Sequence, residues 1–209
     1  MRRFLLISLT LVLALVGWTT VCADDGFYVI SGVKRNYAPV PKTGQTASYD
    51  QNEAHPGDDG GLKKGVAWPT PRFTDHGNGT VTDNLTGLIW MKDAGVLGTK
   101  NWQDALTAAY GLAAPAAGLS DGSKAGDWRL PNVRELQSLV NYGSYNPALP
   151  ASHPFTNVHK LNSDYYWSST TYAPINGYAV LVDFYSGYGA LSGVGWSGNY
   201  YVWCVRGGP

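Results

Sequence analysis

The chain has 209 residues with 15 basic and 15 acidic side chains, long enough for one sizeable core and not comfortably for two. That balance leaves no electrostatic footprint for nucleic acid or for an anionic membrane surface. Its two cysteines, Cys22 and Cys204, are too few for a disulfide framework.

Residues 1–23 read as a secretory signal: Arg2 and Arg3, then an apolar run from Phe4 to Val16, then Val21-Cys22-Ala23 as a small-residue cleavage site. The run is short for a bilayer span, and no later stretch reaches transmembrane length. Cys22 suggests a lipidated cysteine, but Thr19 and Val21 fit a lipoprotein site poorly, so cleavage after Ala23 is expected. Arg2 and Arg3 leave with the signal, so 13 basic residues remain against 15 acidic ones, a formal charge of −2. The expected location is secreted, periplasmic or at the cell surface. Cys204, alone in the mature chain, is expected to be a buried small hydrophobe. Stability then rests on aromatic burial, and seven of the eight Trp residues lie beyond the signal.

Residues 24–70 are rich in Gly, Pro and Asp and read as an irregular leader packed on the domain; 71–209 form the domain itself. Residues 73–83 give a hairpin signal, with Asn78-Gly79 as a tight primed turn. Residues 86–91 follow as a short strand. A helix is expected from Trp102 to Tyr110, capped by Asn101 and stopped at Gly111, with Trp102, Ala105, Leu106 and Ala109 inward.

Residues 126–140 organise the chain. Val133, Leu136, Leu139 and Val140 make one apolar stripe at the helical period, Asn132 caps the first turn, and Glu135 completes a capping box. Trp128 and Leu130 form a buried lead-in, so Asp127 and Arg129 face outward and either pair or stay wet. After Pro147 and Pro150 the texture turns to β, with strands at 165–170, 178–185 and 200–206 and a Gly/Ser-rich loop at 186–199.

No constellation announces catalysis. His55, His76, His153 and His159 lack zinc spacing, and there is neither a Gly-x-Ser-x-Gly elbow nor a phosphate loop. Asp75, Asn78 and Asp83 offer oxygen donors to a hard cation. Their spacing matches no calcium loop, and a plain hairpin with solvated carboxylates is the favoured reading; no metal site and no cofactor are expected. The informative region is the C-terminal third, where eight Tyr and three Trp lie between Tyr165 and Trp203 among Gly, Ser and Asn. Amphipathic rings give contact area with few rotors to freeze, while small polar residues adapt their hydrogen bonds. The candidate ligand-binding residues are Tyr172, Asn176, Tyr178, Tyr185, Tyr188, Trp196, Asn199, Tyr201 and Trp203. The bland alternative is that about half of these rings are core.

Four blocks in order point to a family: residues 80–90, residues 127–139, Trp167-Ser168-Ser169-Thr170, and Cys204-Val205-Arg206-Gly207-Gly208. Together they resemble the secreted bacterial domains related to the C-terminal domain of the Lcl collagen-like adhesin. The resemblance implies an α+β, C-type-lectin-like fold: two helices, a small twisted antiparallel sheet and long loops. It implies a non-enzymatic adhesion module whose partner is a cell-surface glycan or protein, and it leaves the oligomeric state open. Relatives carry a Cys where this chain has Ala47 and another where it has Ala117, and commonly a basic residue where it has Trp203. The last difference weakens any anionic-ligand role carried over from the adhesin. The fold is shared with the formylglycine-generating enzyme, whose chemistry needs a copper-binding cysteine pair that a lone Cys204 does not supply. The calcium-dependent lectin motifs Glu-Pro-Asn, Gln-Pro-Asp and Trp-Asn-Asp do not occur. Alternatives are an enzyme or metal-dependent module on that fold, or a structural envelope protein. Domains with such a C-terminal block also resemble targets of diversity-generating retroelements, whose adenine-derived codons yield Tyr, Asn, Ser and Gly.

Overall fold

The computed structural model describes residues 40–48, 57–187, 194–195 and 197–207, which lie within one compact unit, Pro39–Pro209. The expected signal sequence lies outside the described residues. No helix among the described residues is long and apolar enough to cross a membrane.

Residues 57–62 depart from the expected irregular leader. Asp58 accepts the Gly61 N–H at 2.7 Å and caps a single helical turn, α1 (Asp59–Leu62). The leader then closes on itself, with Trp68 Nε1 donating to the Lys42 carbonyl at 2.9 Å.

The hairpin forms from β1 (Phe73–Asp75) and β2 (Thr80–Asp83), in register Asp75↔Val81. Its turn is wider than a two-residue primed turn. Positive φ falls at Gly77 (69°) and Gly79 (86°), and Asn78 instead turns its side-chain oxygen onto Thr80 N and Oγ1. β3 (Ile89–Met91) pairs with β2, and β9 (Val205–Arg206) pairs with β3, making an antiparallel sheet in the order β1-β2-β3-β9.

The second sheet runs β4-β8-β5-β6-β7: β4 (Thr99–Lys100), β8 (Tyr200–Tyr201), β5 (Tyr165–Thr171), β6 (Tyr178–Asp183) and β7 (Val194–Gly195). One pairing in it, β5 with β8, is parallel. The single small antiparallel sheet expected from the resemblance is therefore two sheets, one of them mixed. The expected strand 200–206 is cut by Val202-Trp203-Cys204, and its halves join different sheets.

α2 (Trp102–Tyr110) starts where Asn101 Oδ1 accepts the Asp104 N–H at 2.9 Å. It buries Trp102, Ala105 and Ala109, with Leu106 half-buried. α3 (Val133–Leu139) carries the expected capping box: Asn132 Oδ1 accepts from Glu135 N at 3.0 Å, and Glu135 Oε2 accepts from Asn132 N at 2.7 Å. Arg129, in the lead-in, pairs with Glu135 through two hydrogen bonds of 2.7 and 2.6 Å. Asp127 turns back to accept from Lys124 N. Trp128 is fully buried and Leu130 nearly so. The fold is thus a mixed α+β domain whose core is built largely of rings, Trp90, Trp128, Tyr166, Trp167, Phe184 and Trp203 among them.

Candidate functional site

The long β5–β6 hairpin sorts the proposed contact residues into two groups. Tyr165 faces Asp183 at one end of the ladder, and Thr171 faces Ala179 at the other. At about 3.3 Å per residue the two ends are roughly 20 Å apart.

Tyr172, Asn176 and Tyr178 belong to the second end, the hairpin tip. Tyr172 N donates to the Tyr178 carbonyl at 2.9 Å, Asn176 is exposed, and both rings are half-buried.

Tyr185, Asn199 and Tyr201 gather at the first end. Tyr185 follows β6 after Phe184, in a turn that Asp183 fixes by accepting from Tyr185 N and from Ser186 N and Oγ. β8 runs parallel to β5 with Tyr201 beside Tyr166, so exposed Asn199 lies toward the Tyr165 end. The Tyr201 ring stacks on His159 with centroids 3.5 Å apart and planes 13° apart. His159 is held in turn, since its N–H donates to Tyr166 Oη at 2.7 Å and its Nδ1 lies 3.8 Å from Asp164 Oδ2. Burial, aided by Asp164, raises the Tyr201 phenol above its ordinary value. Tyr165 and Tyr200 meet edge to face at 5.9 Å. Because strand side chains alternate, the Tyr165–Tyr200 pair lies on one face of the sheet and Tyr201, with Tyr166 and His159, on the other.

Three proposed residues do not join either group. Trp203 is a correction: it is fully buried, ringed by Trp90, Phe155, Tyr166 and Phe184, and its Nε1 donates to the Met91 carbonyl at 2.8 Å. It fills the core between the sheets and presents nothing to a ligand. Tyr188 and Trp196 lie outside the described residues.

The oxygen donors of the first hairpin are each engaged elsewhere. Asp75 accepts from Lys92 Nζ at 2.7 Å and from Gly77 N at 3.0 Å, which holds its carboxyl below the ordinary range. Asp83 corrects the expectation of solvated carboxylates. It is fully buried and accepts from Arg72 Nε, Arg72 Nη2, Leu85 N and Thr86 Oγ1. Among the described residues no three His, Cys, Asp or Glu side chains cluster as metal ligands would. Cys204 is fully buried, and burial pushes its thiol up to about 12.

Two features escaped the sequence reading. The first is a groove of about 380 Å³ lined by Thr86, Leu88, Arg129, Asn132, Arg134, Glu135 and Ser138. The second is the loop from Asn141 to Pro147. Its Asn146 N donates to the Tyr185 carbonyl at 2.7 Å, which sets Tyr142 and Tyr145 beside the first end of the sheet. The two residues are 44% and 77% exposed. The signal was present in the loop's own Asn-Tyr-Gly-Ser-Tyr-Asn composition, but the loop lies outside the C-terminal third.

These features define a class: a mixed α+β domain with a ring-built core and a tyrosine-rich sheet end. The model of the Lcl C-terminal domain matches residues 79–206, and the chain belongs to that family. A search of curated proteins finds no match.

Proposed function

We propose that the protein is a secreted, non-enzymatic ligand-binding or adhesion module, built on a C-type-lectin-like scaffold, whose ligand is a glycan or protein on a cell surface. The observation that carries this reading is the gathering of Tyr185, Asn199 and Tyr201 at one sheet end, with the Tyr201 ring fixed by its stack on His159. A ring already held in place costs little entropy to bind with. The hairpin tip with Tyr172, Asn176 and Tyr178 is a second, smaller contact area; Tyr188 and Trp196 complete the proposed set. Codons for such residues are what a diversity-generating retroelement rewrites, so a near-copy of the gene's 3′ end differing mainly at adenines is expected nearby.

The test is binding of labelled protein to whole cells, untreated, periodate-oxidised or treated with proteinase K, beside arrays of purified glycans and surface proteins. Asn199→Ala and Tyr201→Ala should each weaken binding, the tyrosine by about thirtyfold if it is an anchor. Wild-type affinity in Asn199→Ala, Tyr201→Ala and Tyr185→Ala alike would refute the site. Stoichiometric metal in the purified protein, with a large loss of stability on chelation, would favour a metal-dependent module instead.

A further inference from the structure

The surface next to Tyr185 carries almost no charge. Residues 141–159 contain no Asp, Glu, Lys or Arg, and between Tyr165 and Trp203 the one such residue is Asp183. Asp183 is buried and spent on its own turn. Among the described residues, charge approaches at the margins: half-buried Lys42 lies in the residues 42–44 that back the loop, Asp164 stands by Tyr201 and His159, and Lys160 is near His153. His153, in the same stretch, is half-buried; burial and the nearby Lys160 lower its pKa and favour the neutral ring.

The loop is also built rather than slack. Asn141 N donates to the Ala148 carbonyl at 2.9 Å, and Asn141 Oδ1 accepts from Gly143 N at 2.9 Å while its Nδ2 donates to Ser144 Oγ at 3.0 Å. Tyr142 N donates to the Thr43 carbonyl at 2.9 Å and Ala148 N to the Phe184 carbonyl at 2.8 Å. Gly143 is required for that fit, because a Cβ there would sit 2.5 Å from the Gly44 carbonyl oxygen. A backbone so pinned, holding Tyr145 out at 77% exposure, spends order on a side chain the core does not use.

We propose that Tyr142 and Tyr145, together with Tyr185, form the anchor of a subsite for an uncharged saccharide; this rests on the binding reading above and narrows its ligand. A phenol ring matches the apolar face of a pyranose in size, and the exposed Asn146 amide next to Tyr145 suits hydroxyls. Within residues 141–159 themselves an acidic polysaccharide would find no cation to pair with. The hot spots of a protein interface ordinarily combine Arg with Tyr and Trp; residues 141–159 carry Tyr without any Arg.

The experiment measures full-chain binding to immobilised neutral polysaccharides (mannan, galactan, a β-glucan and a chitin oligomer), to dextran sulfate and alginate, and to proteinase-sensitive cell-surface sites, each at about 50 and 500 mM NaCl. The expected result is binding to at least one neutral polymer that changes less than about twofold with salt, since no exposed ion pair is there to screen. Tyr145→Ala should lower that affinity about tenfold or more, and Tyr145→Trp should restore it. Because the ring is so exposed, both variants should melt like the parent. Binding confined to the acidic polymers with steep salt dependence, binding confined to the proteinase-sensitive sites, or neutral-polymer binding untouched by Tyr145→Ala would each overturn the inference and leave the binding reading standing. Failure on every arm would overturn both.

Discussion

Replacing Arg72 by Met should be among the most damaging single changes in the protein. The Arg72 and Asp83 side chains are only 6% and 0% exposed and meet at 2.7 Å. Arg72 also donates to the Ser138 carbonyl at 2.8 Å, near the end of α3, and its guanidinium lies 4.6 Å from the Trp68 ring and 5.1 Å from that of Phe73. One side chain therefore ties leader, hairpin and helix together. Removing it leaves the Asp83 carboxylate buried without its counter-ion, which costs about 3–5 kcal/mol. Against a total stability of about 5–15 kcal/mol, that is a large share. For a domain of this size it corresponds to a fall in Tm of about 6–20 °C. The assay is reversible thermal or urea unfolding of Arg72→Met, Asp83→Asn and the double variant. The double variant should cost less than the sum of the singles, because removing both charges leaves neither stranded. If Arg72→Met unfolds within about 1 kcal/mol of the parent, the pair is not the buried link described here.

Three further changes follow from the same geometry. Trp128→Ala should cost about 3–5 kcal/mol, as deletion of a fully buried ring; Trp128→Phe should cost clearly less in the same melting assay, because the indole N–H has no acceptor to lose. Cys204 should resist a thiol reagent at pH 8 until denaturant is added, since a thiol pushed up to about 12 is ionised in roughly one molecule in ten thousand there; rapid labelling of the native protein would contradict its burial. Burial alone would raise the Glu135 carboxyl, but Arg129 and the Asn132 N–H outweigh it and hold the carboxyl below its ordinary value. A depressed folded-state value means the pair's contribution is present above the unfolded carboxylate range, near pH 4.3, and is lost as pH falls through the folded value. Glu135→Gln should therefore flatten that acid limb of the stability profile, and an unchanged limb would refute it.

What the sequence by itself determined is local. Asn101 and Asn132 cap helices because a side-chain oxygen three residues before a free N–H can reach it whatever the rest of the chain does. The apolar spacing of Leu136 and Leu139, and the weight of Trp128 and Leu130, decided which faces turn inward. Membership of the Lcl C-terminal domain family was equally readable, since it is carried by ordered blocks along the chain. Tertiary structure alone decided the rest, because alternation of apolar residues does not say which sheet a strand will enter or which ring a turn will cover. Residues 200–206 read as one strand, yet β8 joins β5 while β9 joins β3, and the crossing between them drives Trp203 into the core. Asp83 looked like a hairpin carboxylate until the fold brought Arg72 onto it. Tyr145 stands 40 residues before Tyr185 in the chain, and the hydrogen bonds from Asn146 N to the Tyr185 carbonyl and from Ala148 N to the Phe184 carbonyl bring the two segments together. Pairings of that kind are set by which surfaces bury together, a free energy no local pattern records.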